Sequence, residues 1–175
     1  MMSPAGPGTL VGARTALLLA DAITPAVAAA ARQAIADAGW RRYAFIDRGS
    51  YEFVDAPPIA GLLTAMVDLA SQQTGRTLQL QSARALRLLA GDYILAHHDA
   101  FHEGMPIELT LDLSAEPVVD VAVHYRRRGQ VFFVVPSQPG AVALVERGPA
   151  VNCSQAYVSK RWLDADVQRL VLLLR

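Results

Sequence analysis

From Arg84 to the C-terminus the chain leaves no room for a helix between neighbouring strands. Runs of strand character cover 84–89, 93–96, 107–114, 119–125, 130–135, 141–146, 151–159 and 167–174, separated by short turns. Parallel neighbours need a crossover of about a dozen residues or more, usually through a helix. A sheet built from parallel strand–helix–strand units is therefore excluded. Within this half, Ile107, Leu109, Leu111 and Leu113 alternate with Glu108, Thr110, Asp112 and Ser114. That period of two predicts a half-buried strand. Arg126-Arg127-Arg128-Gly129 separates two strand-like runs and reads as the tip of a hairpin. Pro139-Gly140 turns the chain into the next strand.

The N-terminal half has a different period. Thr24-Pro25 is a good helix start, because Thr caps free amides and Pro fits the first helical turn. Gly39 is a natural stop for a helix over 26–38. A second helix follows Asp55 and ends at Gly75, with Ile59, Leu62, Leu63, Met66, Val67 and Ala70 on one face. Segments 40–46 and 50–54 between the helices look extended. Two helices followed by seven or eight short strands predict an α+β fold, in which the strand-rich half closes as a jelly roll and the helices pack on the sheet. We expect one domain over 1–175, with a loose N-terminus at 1–8, helical and extended support over 9–82, and the jelly-roll core over 83–175.

Composition narrows the function classes. Sixteen basic residues balance sixteen acidic ones, which points away from nucleic acid as a partner. No apolar run approaches the roughly 20 residues of a membrane span. The apolar stretch 15–30 is interrupted by Asp21 and Pro25 and does not read as a leader. A single cysteine, Cys153, allows no internal disulfide and suits a reducing cytoplasm.

The informative polar cluster is His97-His98-Asp99, at the end of an apolar strand and just before His102. In an extended segment, residues 97 and 99 fall on the same side. An imidazole and a carboxylate so placed, with one remote ligand, make the facial triad of non-haem iron(II) sites. The bland reading of the tripeptide alone is a solvated polar loop. Arg169, inside the apolar strand 167–174, needs either a structural partner or an anionic ligand. No phosphate-binding Gly loop, Cys-x-x-Cys pair, Gly-x-Ser-x-Gly elbow or His-Glu-x-x-His is present.

Gly91-Asp92-Tyr93-Ile94-Leu95-Ala96-His97-His98-Asp99, the Pro139-Gly140 turn with its apolar strand, and the strand around Arg169 occur in an order that resembles the prolyl-hydroxylase-like iron(II)/2-oxoglutarate oxygenases. The resemblance covers about residues 83–175 and implies a double-stranded β-helix. It implies that His97 and Asp99 bind Fe(II) and that Arg169, with Tyr93, binds the cosubstrate 2-oxoglutarate. It further implies oxidative decarboxylation of 2-oxoglutarate to succinate with hydroxylation of an unactivated C–H bond. The substrate would be a small molecule, a peptide or a carrier-bound group. The family's third ligand, a His shortly before the Arg, has no counterpart, since no His follows His124. Counting from the two flanking markers lands near Asn152 or Cys153, or near Tyr157. His124, Cys153 and Tyr157 remain as candidates. Two other readings stay open: a non-catalytic jelly-roll domain that has lost the metal centre, and a cupin-like metalloenzyme that gathers several of its histidines without 2-oxoglutarate.

Overall fold

A computed structural model describes residues 15–97, 107–147 and 150–175. In it the elements run β1 (Ala16–Leu19), α1 (Pro25–Ala38), β2 (Arg41–Phe45), β3 (Gly49–Asp55), α2 (Ala60–Thr74), β4 (Leu80–Leu89), β5 (Tyr93–His97), β6 (Ile107–Asp112), β7 (Ala122–Arg127), β8 (Gln130–Pro136), β9 (Val142–Glu146), β10 (Val151–Gln155) and β11 (Asp166–Leu174). Thr24 caps α1 through its side chain, which accepts from the Val27 amide, and Gly39 ends the helix at a φ of 86°. Gly75 closes α2 in the left-handed conformation. α1 starts and stops where the sequence predicts, and α2 stops there too but begins only at Ala60, with Ile59 as its cap residue and no side-chain cap.

All eleven strands join one hydrogen-bonded network, in the order β1-β9-β6-β11-β4-β3-β5-β10-β7-β8 with β2 paired to β3. Every pairing is antiparallel. The sheet folds on itself into a barrel-like shape. Ala16 and Leu18 of β1 pack in one cluster with Val123 and Tyr125 of β7, Phe133 and Val135 of β8, and Cys153 of β10, elements far apart in the strand order. The opposite face of the first half carries the helices. Ala28, Ala31 and Ile35 of α1 and Met66 and Ala70 of α2 share the largest apolar cluster with Leu109, Leu111, Leu144, Leu170 and Leu172. Arg32 ties α1 down by donating to the Leu113 carbonyl at 2.9 Å.

Two expectations change. The strand at Ile107–Asp112 is buried on both faces rather than half-buried. Its leucines face the helices, while Glu108 and Thr110 meet Tyr125 on the barrel's inner side. Polar alternation here marks a polar interior, which period alone cannot distinguish from solvent. The N-terminal region is also more than external support: β1 pairs with β9, and β3 joins β4 to β5. Residues before 83 therefore complete the sheet.

The hairpin at the arginine triplet forms as expected. Arg128 and Gly129 both take positive φ, 52° and 80°, which suits the tight turn between β7 and β8.

Candidate active site

Alternation along β11 decides what enters the barrel. Leu170, Leu172 and Leu174 pack with the helices, so Val167, Arg169 and Val171 face inward. Arg169 is 1% exposed and lies between Leu86 of β4 and Asp112 of β6 in the sheet. Its Nη1 donates to Gln155 Oε1 on β10, across the barrel. Its Nη2 has no acceptor. No carboxylate of the described residues lies within ion-pair distance of it. Burial pulls the Arg169 guanidinium below its ordinary pKa, and the charge of Asp112 offsets part of that pull. A guanidinium stays protonated in proteins all the same, so the barrel holds a cation one hydrogen bond short of satisfied.

One step along β10, a second polar layer crosses the barrel. Cys153 is paired with Tyr125 of β7 on one side and with His97 of β5 on the other. The Tyr125 hydroxyl donates to Glu108 Oε1 at 2.6 Å and lies 3.4 Å from Thr110 Oγ1. Arg147, just beyond β9, donates from Nη1 to Glu108 Oε2. The same Nη1 is 3.5 Å from Cys153 Sγ. Arg147 is 3% exposed, and its Nε and Nη2 have no acceptor. Burial, and then the charge of Glu108, push the Tyr125 phenol well above its usual pKa. Burial, the largest influence, opposes the charged form of Arg147, but the charges of Glu108, Cys153 and Tyr125 together outweigh it and raise the Arg147 pKa.

The residues singled out from sequence divide into three groups. Arg169 and Cys153 face the barrel interior, and the backbone of His97 is the cross-strand neighbour of Cys153. Asp99, with His98 and His102, lies outside the described residues. The remaining three sit elsewhere. His124 pairs with Ser154 and Val134, on the face opposite to Val123 and Tyr125. Tyr157 is 50% exposed. Tyr93 lines an outer groove with Leu95, Arg126, Ser154 and Tyr157, while its neighbour Ile94 packs inward with Leu86, Leu88 and Val167. For His124 and Tyr93 strand parity is the reason, since one residue's step puts a side chain on the other face; Tyr157 lies beyond the end of β10.

Sequence reasoning missed Glu108, Tyr125, Arg147 and Gln155. The signal for Glu108 was its place in a strand whose alternate residues, Ile107, Leu109 and Leu111, pack with the helices; Gln155 carried none, since the other face of β10 is Asn152 and Ser154. Arg147 follows β9 directly and carried no pattern. Among the described residues no three His, Cys, Asp or Glu side chains gather as a metal cluster. No helix among them is long and apolar enough to cross a membrane.

Comparison with solved structures assigns the architecture. An oxidoreductase of the 2OG-Fe(II) oxygenase family from Burkholderia pseudomallei superposes with a TM-score of 0.73 at 12% identity, covering 91% of this chain and 85% of that one. A prolyl-4-hydroxylase from Pseudomonas putida gives 0.70 at 13% identity, covering 93% of each chain. The viral collagen prolyl hydroxylase of Paramecium bursaria Chlorella virus-1, solved with 2OG, gives 0.69 at 8% identity over 93% of this chain and 97% of that one. The chain therefore has the fold of the 2-oxoglutarate oxygenases. No family model and no curated protein matches its sequence.

Proposed function

We propose that this protein is an iron(II)/2-oxoglutarate-dependent oxygenase that hydroxylates an unactivated C–H bond. The observation that carries this reading is Arg169, a buried cation inside the barrel with a free N–H and no carboxylate partner among the described residues. A buried, unpaired charge costs several kcal/mol, so it persists where a ligand completes it. A planar guanidinium fits a carboxylate by two parallel hydrogen bonds.

The cosubstrate fits the chain's own donors. Gln155 would hold the Arg169 guanidinium in place, leaving Nη2 for the far carboxylate of 2-oxoglutarate. Leu86, Leu88, Ile94 and Val167 form an apolar inner cluster at this end that would exclude water from the ion pair. Gln155 and Cys153 are two residues apart on β10, about 7 Å at the rise of an extended strand. A five-carbon dicarboxylate anchored at Arg169 is long enough to bring its 2-oxo acid end to the level of His97 and Cys153.

The metal end also fits by donor type. By the resemblance, His97 and Asp99 would hold iron; Cys153, which faces the barrel interior, has the His97 backbone as its cross-strand neighbour. Iron bound there would couple decarboxylation of 2-oxoglutarate to substrate oxidation. Tyr125 and Thr110 line the wall, and Glu108 compensates Arg147, so the layer adds no net charge of its own. The substrate is a small molecule, a peptide or a carrier-bound group. The solved relatives include hydroxylases of collagen and an enzyme bound to a peptide fragment. A single cysteine, which can form no internal disulfide, suits a reducing compartment such as the cytoplasm.

Anaerobic titration with Fe(II) and 2-oxoglutarate tests this directly, by the weak visible charge-transfer band of the chelate. We expect the band in the wild type and its loss in His97→Ala and in Arg169→Met. Absence of both band and metal uptake would leave a non-catalytic binding domain. Metal uptake without 2-oxoglutarate binding would favour the cupin-like reading.

A further inference from the structure

We propose that Arg147 is a second carboxylate anchor inside the barrel, and that with Arg169 it clamps a short dicarboxylate, 2-oxoglutarate included, at both ends without a metal ion. This deepens the oxygenase reading and rests on its assignment of Arg169 as a carboxylate anchor.

The unused edge of Arg147 supplies the first argument. A guanidinium presents a fork on the side shared by Nε and Nη2, where two parallel N–H groups match the two oxygens of a carboxylate. Arg147 turns only Nη1 to the chain, donating it to Glu108 Oε2 beside Cys153 Sγ. Nε and Nη2 are buried and have no acceptor among the described residues. The unmet groups are thus the two that form the fork. Leaving both unmet is costly in a side chain only 3% exposed.

The neighbouring acids supply the second, because they are engaged elsewhere. Glu108 takes the Tyr125 hydroxyl on Oε1 and Arg147 Nη1 on Oε2. Asp112, the sheet neighbour of Arg169, accepts from the amides of Ser114 and Gln138. Neither carboxylate meets the Arg147 fork or Arg169 Nη2. A bound anion supplies the oxygens that these acids do not.

Placement is the third. Arg147 and Arg169 are the two buried arginines of the described residues. Tyr125 is common to both: the Arg147 guanidinium lies 5.8 Å from its ring, and the phenol acts on the Arg169 charge as well. Along β10, Arg169 meets Gln155 and Arg147 meets Cys153, two residues and about 7 Å apart. Two cations so separated suit a carboxylate at each end of a short chain better than one small anion.

Calorimetry with glutarate in EDTA reads this site without iron. Glutarate carries the two carboxylates of 2-oxoglutarate and no oxo group to chelate a metal, whereas pentanoate carries one carboxylate on the same chain length. The full-length wild type should bind glutarate roughly 10–100-fold more tightly than pentanoate, as one charge-assisted pair provides. Arg147→Met should bring glutarate down to the pentanoate level. Glu108→Gln/Arg147→Met should do the same with no charge of the pair left uncompensated. Glu108→Gln alone should tighten glutarate about tenfold, because a like charge beside a bound anion is costly; a merely structural Arg147 gives no such gain. Circular dichroism on each variant establishes that it is folded. 2-Oxoglutarate should displace glutarate, and simultaneous binding of both would overturn the clamp. Glutarate bound no more tightly than pentanoate, or equally by wild type and Glu108→Gln/Arg147→Met, would also overturn it, while the Fe(II)/2-oxoglutarate band still decides the oxygenase reading. Glutarate clamped as expected in a protein without that band would keep the clamp and remove the oxygenase reading.

Discussion

Arg169 on β11 reaches across the barrel to Gln155 on β10, and the two side chains form a buried polar contact with one guanidinium N–H left over. Such a contact is costly in the protein without a ligand. Replacing both residues with apolar ones removes the cost. Exchange of buried ionic groups for well-packed apolar ones is often neutral or stabilising by about 1–4 kcal/mol. We expect Arg169→Met/Gln155→Leu to be at least as stable as wild type in urea unfolding without ligand. The same variant should lose 2-oxoglutarate binding in calorimetry. Arg169→Met alone should gain less, because it strands the Gln155 carbonyl at a cost of about 1–3 kcal/mol.

Glu108 and Arg147 behave oppositely, since each neutralises the other's charge. Glu108→Gln keeps the shape and removes the counter-charge, leaving a buried guanidinium uncompensated. Breaking a buried pair in this way costs about 3–5 kcal/mol. The double variant Glu108→Gln/Arg147→Met should recover most of that loss, and a double-mutant cycle in urea measures the coupling. A loss in the double variant equal to the sum of the two single losses would show that the pair carries no coupling.

What could be read in advance followed from local rules. Thr24 and Gly39 bounded α1, Gly75 ended α2, and close strand spacing excluded a parallel sheet, because these features act within a few residues. Arg169 was identifiable because a charge inside an apolar strand demands a partner. What escaped depended on which side of a strand faces the barrel. Glu108 looked like a solvent position in an alternating strand, yet it lies in the interior with Tyr125 and Arg147. Tyr93, His124 and Tyr157 are chemically suitable and close in sequence to the site, and parity or exposure puts them outside it. Contacts that cross the barrel, such as Arg147 with Cys153, join different strands and leave no pattern within either one.

Gly49 supports the strand that bears His97. It opens β3 at a φ of 135°, and a Cβ there would stand 2.2 Å from the Tyr93 carbonyl oxygen. Gly49 is paired with Ile94 at the junction of β3 and β5. Gly49→Ala must displace β5 or unpair it. We expect a loss of about 3 kcal/mol in urea unfolding from strain and lost packing. The Fe(II)/2-oxoglutarate band should weaken in parallel, because β5 carries His97. A variant of wild-type stability would mean that the β3–β5 junction adapts freely.

Acid should weaken the fold through Asp92, which precedes β5. Its carboxylate is nearly buried and accepts from both Arg42 Nη1 and Nη2, from Ser50 Oγ and from the Leu89 amide. Burial alone would raise its pKa, but these donors, Arg42 foremost, bring it below the ordinary carboxylate value of 3.8. A carboxylate with a lowered folded-state pKa contributes stability that is complete above the unfolded value and disappears as pH falls through the folded one. The contribution of Asp92 is therefore full at neutral pH and decays below about pH 4. Asp92→Asn should remove it at neutral pH, costing about 2 kcal/mol for the lost charge-assisted bonds. The gap between wild type and variant should then narrow as pH falls below 4. Urea unfolding at pH 7, 4 and 3 measures that gap, and a constant difference across the series would show that Asp92 stabilises the turn by shape rather than by charge.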